Sequence, residues 1–115
     1  PFDNDLIDSP YELFLVNKGM HTLFLLDLRP NENRYMNFKE ALKYLLKKSN
    51  NKNDGVISLE TFAVVCAAIG TEKAVIKYGK ISELMKLEIN YYPQCIIIPG
   101  ELHFMEEEML NYFIV

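Results

Sequence analysis

The stretch Pro93-Gln94-Cys95-Ile96-Ile97-Ile98-Pro99-Gly100-Glu101-Leu102-His103-Phe104-Met105-Glu106-Glu107-Glu108 decides the fold class. Its apolar run is strand-sized and enters a tight Pro-Gly turn. The His-Phe-Met that follows, with three glutamates behind it, reads as the acidic first turn of a helix. A buried strand, a turn and a helix in that order mean α/β. Met105, Met109, Leu110 and Phe113 are predicted to form the apolar stripe of this last helix.

Upstream, Tyr91-Tyr92-Pro93 bridges from a short helix that Ser82 would cap and that runs to about Glu88. Lys73 to Tyr78 alternates charged and apolar side chains, as a strand with one wet face does. Phe62 to Ile69 is long enough for a buried helix, but Val64, Val65 and Ile69 are β-branched and Gly70 ends the run, which favours a strand. Asn37 is an N-cap with Glu40 three residues later. The helix it opens puts Ala41, Leu42, Leu45 and Leu46 on one face and lysines on the other. Polar Ser49 to Gly55 is predicted to end that helix as a loop.

His21 to Leu28 has almost no polar interruption and suits a strand buried on both faces, with a turn over Pro30 to Asn33 after it. Ser9, Pro10 and Glu12 supply an N-cap, a first helical residue and a capping box, with Leu13, Phe14 and Val16 toward the core and Gly19 as the left-handed stop. Residues 1–8 are polar and aspartate-rich and are expected to be a linker or tail. Residues 9–115 form one α/β domain. The order α-β-α-β-β-α-β-α predicts a small mixed β-sheet flanked by helices, with no internal repeat.

Composition narrows the function classes. The 115 residues make one domain's worth of chain, half hydrophobic and a quarter charged. No apolar stretch approaches the ~20 residues of a membrane span, and no basic segment precedes an apolar one as in a secretory signal. The chain begins at Pro1 without a methionine, which predicts a piece of something longer. The net charge is −4, and the basic concentration at Lys43, Lys47, Lys48 and Lys52 suits the C-terminal end of a helix. Direct nucleic-acid binding, which needs a dense basic face, is disfavoured. Cys66 and Cys95 each lie in an apolar run, 29 positions apart, and read as small buried hydrophobes rather than a disulfide or zinc pair. That usage points to a reducing, cytoplasmic compartment.

No glycine-rich phosphate loop, nucleophile elbow or zinc-binding His pair occurs. Glu106, Glu107 and Glu108 project about 100° apart on a helix and cannot converge on one ligand, so no metal site is expected. His21 and His103 sit at element ends. There, a hydrogen bond to backbone is the simpler role than general base catalysis without a visible partner. From chemistry alone the residues show no catalytic group.

Several segments nevertheless resemble the diphthine synthase family. Ser9-Pro10-Tyr11-Glu12, Lys18-Gly19-Met20-His21-Thr22-Leu23 and Leu25-Leu26-Asp27-Leu28 are similar to a helix and a Leu-Leu-Asp strand end of that family. Arg34-Tyr35-Met36-Asn37, Val65-Cys66-Ala67-Ala68-Ile69-Gly70 and the Pro-Gly-x-Leu-His segment at residues 99–103 match in the same order. The resemblance favours the strand reading of Phe62 to Ile69. It implies the second domain of a tetrapyrrole-methylase-like methyltransferase, a class that binds S-adenosylmethionine between two α/β domains, and only the second of these has a counterpart here.

By the same resemblance the full enzyme would methylate the modified histidine of translation elongation factor 2 in diphthamide synthesis, as a cytoplasmic homodimer. The cofactor contacts carried over are Leu26, Ile69 and Gln94, with no dedicated catalytic residue. Two of them depart from the family: Ile69 stands where relatives often have Ala, and Gln94 where they often have His. Main-chain contacts would survive both changes, whereas a His side-chain contact would not. The alternative is a non-catalytic α/β protein-interaction or dimerisation domain that keeps family-like strand ends as structure.

Overall fold

The structure, a computed structural model, describes residues 9–16, 19–26, 28–29, 34–35, 37–100, 102 and 104–115. Its elements are α1 (Ser9–Val16), β1 (Thr22–Leu25), β2 (Leu28–Arg29), β3 (Arg34–Tyr35), α2 (Phe38–Lys52), β4 (Phe62–Ala67), β5 (Val75–Lys80), α3 (Ile81–Leu84), β6 (Gln94–Ile98) and α4 (Phe104–Asn111). The main sheet runs in the order β1-β6-β4-β5, and β2 pairs with β3 separately. Every ladder is antiparallel. The parallel component of the expected mixed sheet is a single bridge between Tyr78 and Ile114.

Period-two alternation sorts the strand side chains between two layers. Ala63, Val65 and Ala67 of β4, with Ile96 and Ile98 of β6 and Phe24 of β1, join Tyr11, Phe14, Phe38, Leu42, Leu45, Ile81 and Leu84 from α1, α2 and α3 in the larger core. Val64 and Cys66 face the other way, where Tyr78, Ile97, Leu110 and Phe113 make a smaller cluster. Phe62 to Ile69 is therefore a strand, with both faces covered over most of its length. It stops at Ala67, because Ala68 adopts the left-handed region at φ 52° and Gly70 follows at φ 89°.

The start of α2 obeys its local signal. Asn37 Oδ1 accepts from the Glu40 N–H at 2.9 Å, and Glu40 Oε1 accepts from the Asn37 N–H at 3.3 Å, a complete capping box. Its end does not follow the sequence expectation. The helix continues through Ser49 to Lys52, and Ser49 is buried. Ser49 Oγ donates to Asp54 Oδ1 at 2.6 Å and accepts from the Ile57 N–H at 3.0 Å. The Tyr11 hydroxyl donates to the same carboxylate at 2.7 Å, so a polar network across three segments holds a serine inside the helix. Burial pushes the Tyr11 phenol up to about 12, and the Asp54 charge adds to the effect.

Other boundaries also differ. The strand expected over His21 to Leu28 divides: β1 ends at Leu25, while Leu28 turns to pair with Tyr35. Leu23 is exposed, so β1 is not buried on both faces; α4 lies over the β4–β5 side instead. β5 lies two residues beyond the expected Lys73 to Tyr78, and α3 begins at Ile81 after Lys80, which makes no side-chain cap. Ser82 is thus inside that short helix. α1 already includes Ser9, so Ser9 is helical rather than a cap before the helix, and the residues preceding it lie outside the described residues. The turn at 30–33 and the tail at 1–8 also lie outside them.

Phe14 is buried as expected, while the side chains of Leu13 and Val16 are not described. Leu110 on α4 and Phe113 just after it reach the sheet, but Met105 and Met109 are 75 % and 68 % exposed. After two turns the chain leaves the helix to run beside β5, where Tyr78 donates to Phe113 O and accepts from Val115 N–H. That docking rotates the methionine edge outward. Among the described residues no helix is long and apolar enough to cross a membrane.

Candidate functional site

The register places the expected site residues on one rim of the sheet. Leu25 pairs with Cys95 and Ala67 pairs with Gln94. Leu26, just past β1, Ile69, two residues past β4, and Gln94, opening β6, therefore lie along the same edge. Val75 opens β5 beside them, opposite Ala67.

Their side chains behave differently. Ile69 is 56 % exposed and Leu26 is half-buried against the larger core. Gln94 is 3 % exposed and turned inward. Its Oε1 accepts from the Phe38 N–H at 2.7 Å, and its Nε2 donates to Ile89 O at 2.9 Å and Tyr91 O at 3.1 Å. All the polar atoms of the Gln94 side chain are thus engaged inside the protein, away from the rim.

The rim has residues that the sequence did not single out. Ala68 donates its N–H to Pro93 O at 2.9 Å, and its carbonyl accepts from the Thr71 hydroxyl at 2.7 Å. Thr71 Oγ1 in turn accepts from the Lys73 N–H at 3.1 Å. These bonds hold a non-glycine residue in the left-handed region, where strain of about 1–2 kcal/mol is usual. Tyr91 and Tyr92 are exposed next to a cis Tyr92–Pro93 bond, and Lys73 Nζ lies 5.6 Å from the Tyr91 ring centroid. Together Ala68, Gly70, Thr71, Lys73, Tyr91 and Tyr92 border an open groove of about 760 Å³. Only adjacency to the strand ends marks them, and adjacency in space is invisible in the chain. The rim therefore presents the exposed apolar side chain of Ile69 beside the anchored Ala68–Gly70 turn, with Leu26 packed inward.

The opposite rim is built differently. His21 Nδ1 accepts from the Gly100 N–H at 2.9 Å, which fixes the proton on Nε2, and Nε2 contacts Glu106 Oε2 at 2.9 Å. Both ring nitrogens are engaged, one with backbone at an element end, so no base is left over. His103 lies outside the described residues. Glu107 and Glu108 are exposed, and among the described residues no three His, Cys, Asp or Glu side chains are placed to hold a metal.

Cys66 and Cys95 face each other directly across β4 and β6 as free thiols. Burial pushes Cys66 up to about 12, with Cys95 adding to it, and burial also raises Cys95. Neither has the depressed pKa a nucleophile requires.

An antiparallel sheet with α1, α2 and α3 over one face and α4 against the other, ending in an open rim of apolar side chains and anchored turns, defines a class: an α/β domain with one set of strand ends left open. Comparison with known proteins gives that class a family setting. The chain is 45% identical over 116 residues to the diphthine synthase of Methanocaldococcus jannaschii, covering 97% of this chain and 45% of that protein. It is 42% identical over 110 residues to the diphthine synthase of Methanothermobacter thermautotrophicus, covering 94% of this chain and 42% of that one.

Among solved structures, a diphthine synthase candidate from Entamoeba histolytica superposes with a TM-score of 0.87 at 28% identity, over 93% of this chain and 44% of that chain. A second crystal structure of diphthine synthase superposes at 0.78 and 25% identity, over 94% of this chain and 41% of that chain. No family model matches the chain. The chain is a homologue of part of the diphthine synthases, and spans about half the length of the curated relatives it matches.

Proposed function

We propose that this chain is the C-terminal half of a methyltransferase of diphthamide synthesis, and that the complete enzyme uses S-adenosylmethionine to methylate the modified histidine of translation elongation factor 2. The observation that carries the reading is the similarity to diphthine synthases along 97% of the chain. In support of it, the three carried-over positions share one rim. Leu26 and Ile69 would be the apolar walls of half the cofactor slot. The main chain at Ile69 and Gln94 would read the cofactor's polar edge.

The bound cofactor supplies a methyl group already activated by the positive sulfur. What remains for this chain is binding, orientation and exclusion of water. Ile69 and Leu26 exclude water from their side of the slot, and the Thr71-anchored Ala68 turn keeps Ile69 at a fixed height. This division of labour needs no general base, metal cluster or activated thiol from this chain. With the other wall of the slot supplied by the remaining half of the enzyme, residues 9–115 would be inactive alone. Residues 1–8 would connect the halves. The complete protein would be a cytoplasmic homodimer.

Calorimetry of S-adenosylmethionine with the full-length protein tests the reading. Leu26→Asp, which puts a charge at the wall, is expected to abolish binding while the melting temperature shows a folded protein. A folded Leu26→Asp variant with unchanged affinity would favour the non-catalytic interaction domain.

A further inference from the structure

Gln94 stands at the rim but turns its side chain away from it, and the consequence reaches the rim through three hydrogen bonds. Phe38 is the first residue of α2, so its N–H has no partner inside the helix. The capping box satisfies the N–H groups of Asn37 and Glu40, and Gln94 Oε1 takes that of Phe38 at 2.7 Å. The two hydrogens of Nε2 go to Ile89 O and Tyr91 O. One acceptor facing an N–H and two donors facing carbonyls fix the carboxamide in a single orientation. No other side chain of this size carries that combination: glutamate has only acceptors when ionised, neutral histidine one donor and one acceptor, leucine neither.

We propose that the Gln94 side chain positions the cofactor slot, acting through the loop at 89–93 rather than by side-chain contact with the cofactor; the inference rests on the methyltransferase reading above. The links are continuous. Gln94 holds the carbonyls of Ile89 and Tyr91, which sets the course of the chain into Pro93. The Pro93 carbonyl receives the Ala68 N–H at 2.9 Å, and Ala68 is the residue before Ile69. The Tyr91 ring, beneath Lys73, walls the groove beside that turn. Releasing the carboxamide frees the loop and, with it, the wall that Ile69 forms.

The test uses the full-length protein and measures S-adenosylmethionine affinity by calorimetry for the wild type, Gln94→Leu and Gln94→His, with melting temperatures alongside. Gln94→Leu is expected to lower affinity about tenfold or more in protein that remains folded at the assay temperature, because all three backbone partners lose their mate. Gln94→His keeps one donor and one acceptor only while neutral. Its affinity should therefore fall between about pH 8 and about pH 5.5, where the wild type stays level.

A Gln94→Leu protein that folds and binds like the wild type overturns the inference. So does a Gln94→His protein whose affinity tracks the wild type across that range, and this arm decides the matter should Gln94→Leu not fold. Wild-type protein that binds no S-adenosylmethionine overturns the methyltransferase reading itself, and the inference with it. Normal wild-type binding with unmoved variants overturns only the role of Gln94.

Discussion

The two rims of this sheet solve the problem of strand ends in opposite ways. At the rim of His21, Gly100 and Glu106, polar side chains link β1, the turn after β6 and α4, and the strand ends are tied shut. Gly100 approaches the backbone of Gly19 and Met20 so closely that a Cβ there would overlap it. At the rim of Leu26, Ile69 and Gln94, the polar groups turn inward or bind their own turn, and apolar Ile69, Tyr91 and Tyr92 stay in solvent. The contrast teaches how a protein leaves one sheet edge open. It anchors the Ala68 turn and the Gln94 side chain from within and leaves apolar side chains in solvent.

The comparison can be broken at several points. Gly100→Ala should do the most damage. The added methyl meets backbone, which cannot yield as a flexible side chain can, and a loss of about 3 kcal/mol is expected in urea unfolding. Opening that rim should also loosen the end of β6, so amide hydrogen exchange at Ile97 and Ile98, expected to be slow in the wild type, should become measurable by mass spectrometry. His21→Leu removes the acceptor of the Gly100 N–H and the partner of Glu106 at a half-exposed site. It should cost about 1 kcal/mol by the same unfolding measurement.

The open rim should respond with the other sign. Ala68→Gly relieves a left-handed alanine and is expected to stabilise by about 0.5–1 kcal/mol, leaving exchange at Ile97 and Ile98 slow. Ile69→Ser should change stability by no more than about 0.5 kcal/mol, because the side chain is mostly in water. A large loss on Ile69→Ser would mean that Ile69 supports the fold rather than facing a ligand. An open rim as sensitive as the closed one would erase the distinction.

Local signals were legible wherever the partner lay within a few residues. The Asn37–Glu40 capping box, the apolar run from Cys95 to Ile98 and the helix after Pro99-Gly100 all follow from short-range chemistry. Signals failed where a distant group changed the outcome. Ser49 reads as a helix-ending residue, yet Asp54, Ile57 and Tyr11 supply the bonds that keep it helical. Met105 and Met109 read as core, but the return of residues 112–115 along β5 rotates them to solvent. The site divides in the same way. Resemblance pointed to Leu26, Ile69 and Gln94, while the neighbours Thr71, Lys73 and Tyr91 carry no motif and emerge only from the pairing of β4 with β6 and β5.

The sequence by itself determined the α/β class, the strand at residues 94–98 and the identity of the residues available at the strand ends, because periodicity, caps and turns act over a few positions. Tertiary structure alone decided which strand ends share a rim, which way Gln94 faces and that both nitrogens of His21 are engaged. Those outcomes depend on antiparallel register across tens of residues and on buried polar groups finding partners, and neither is encoded in any single segment.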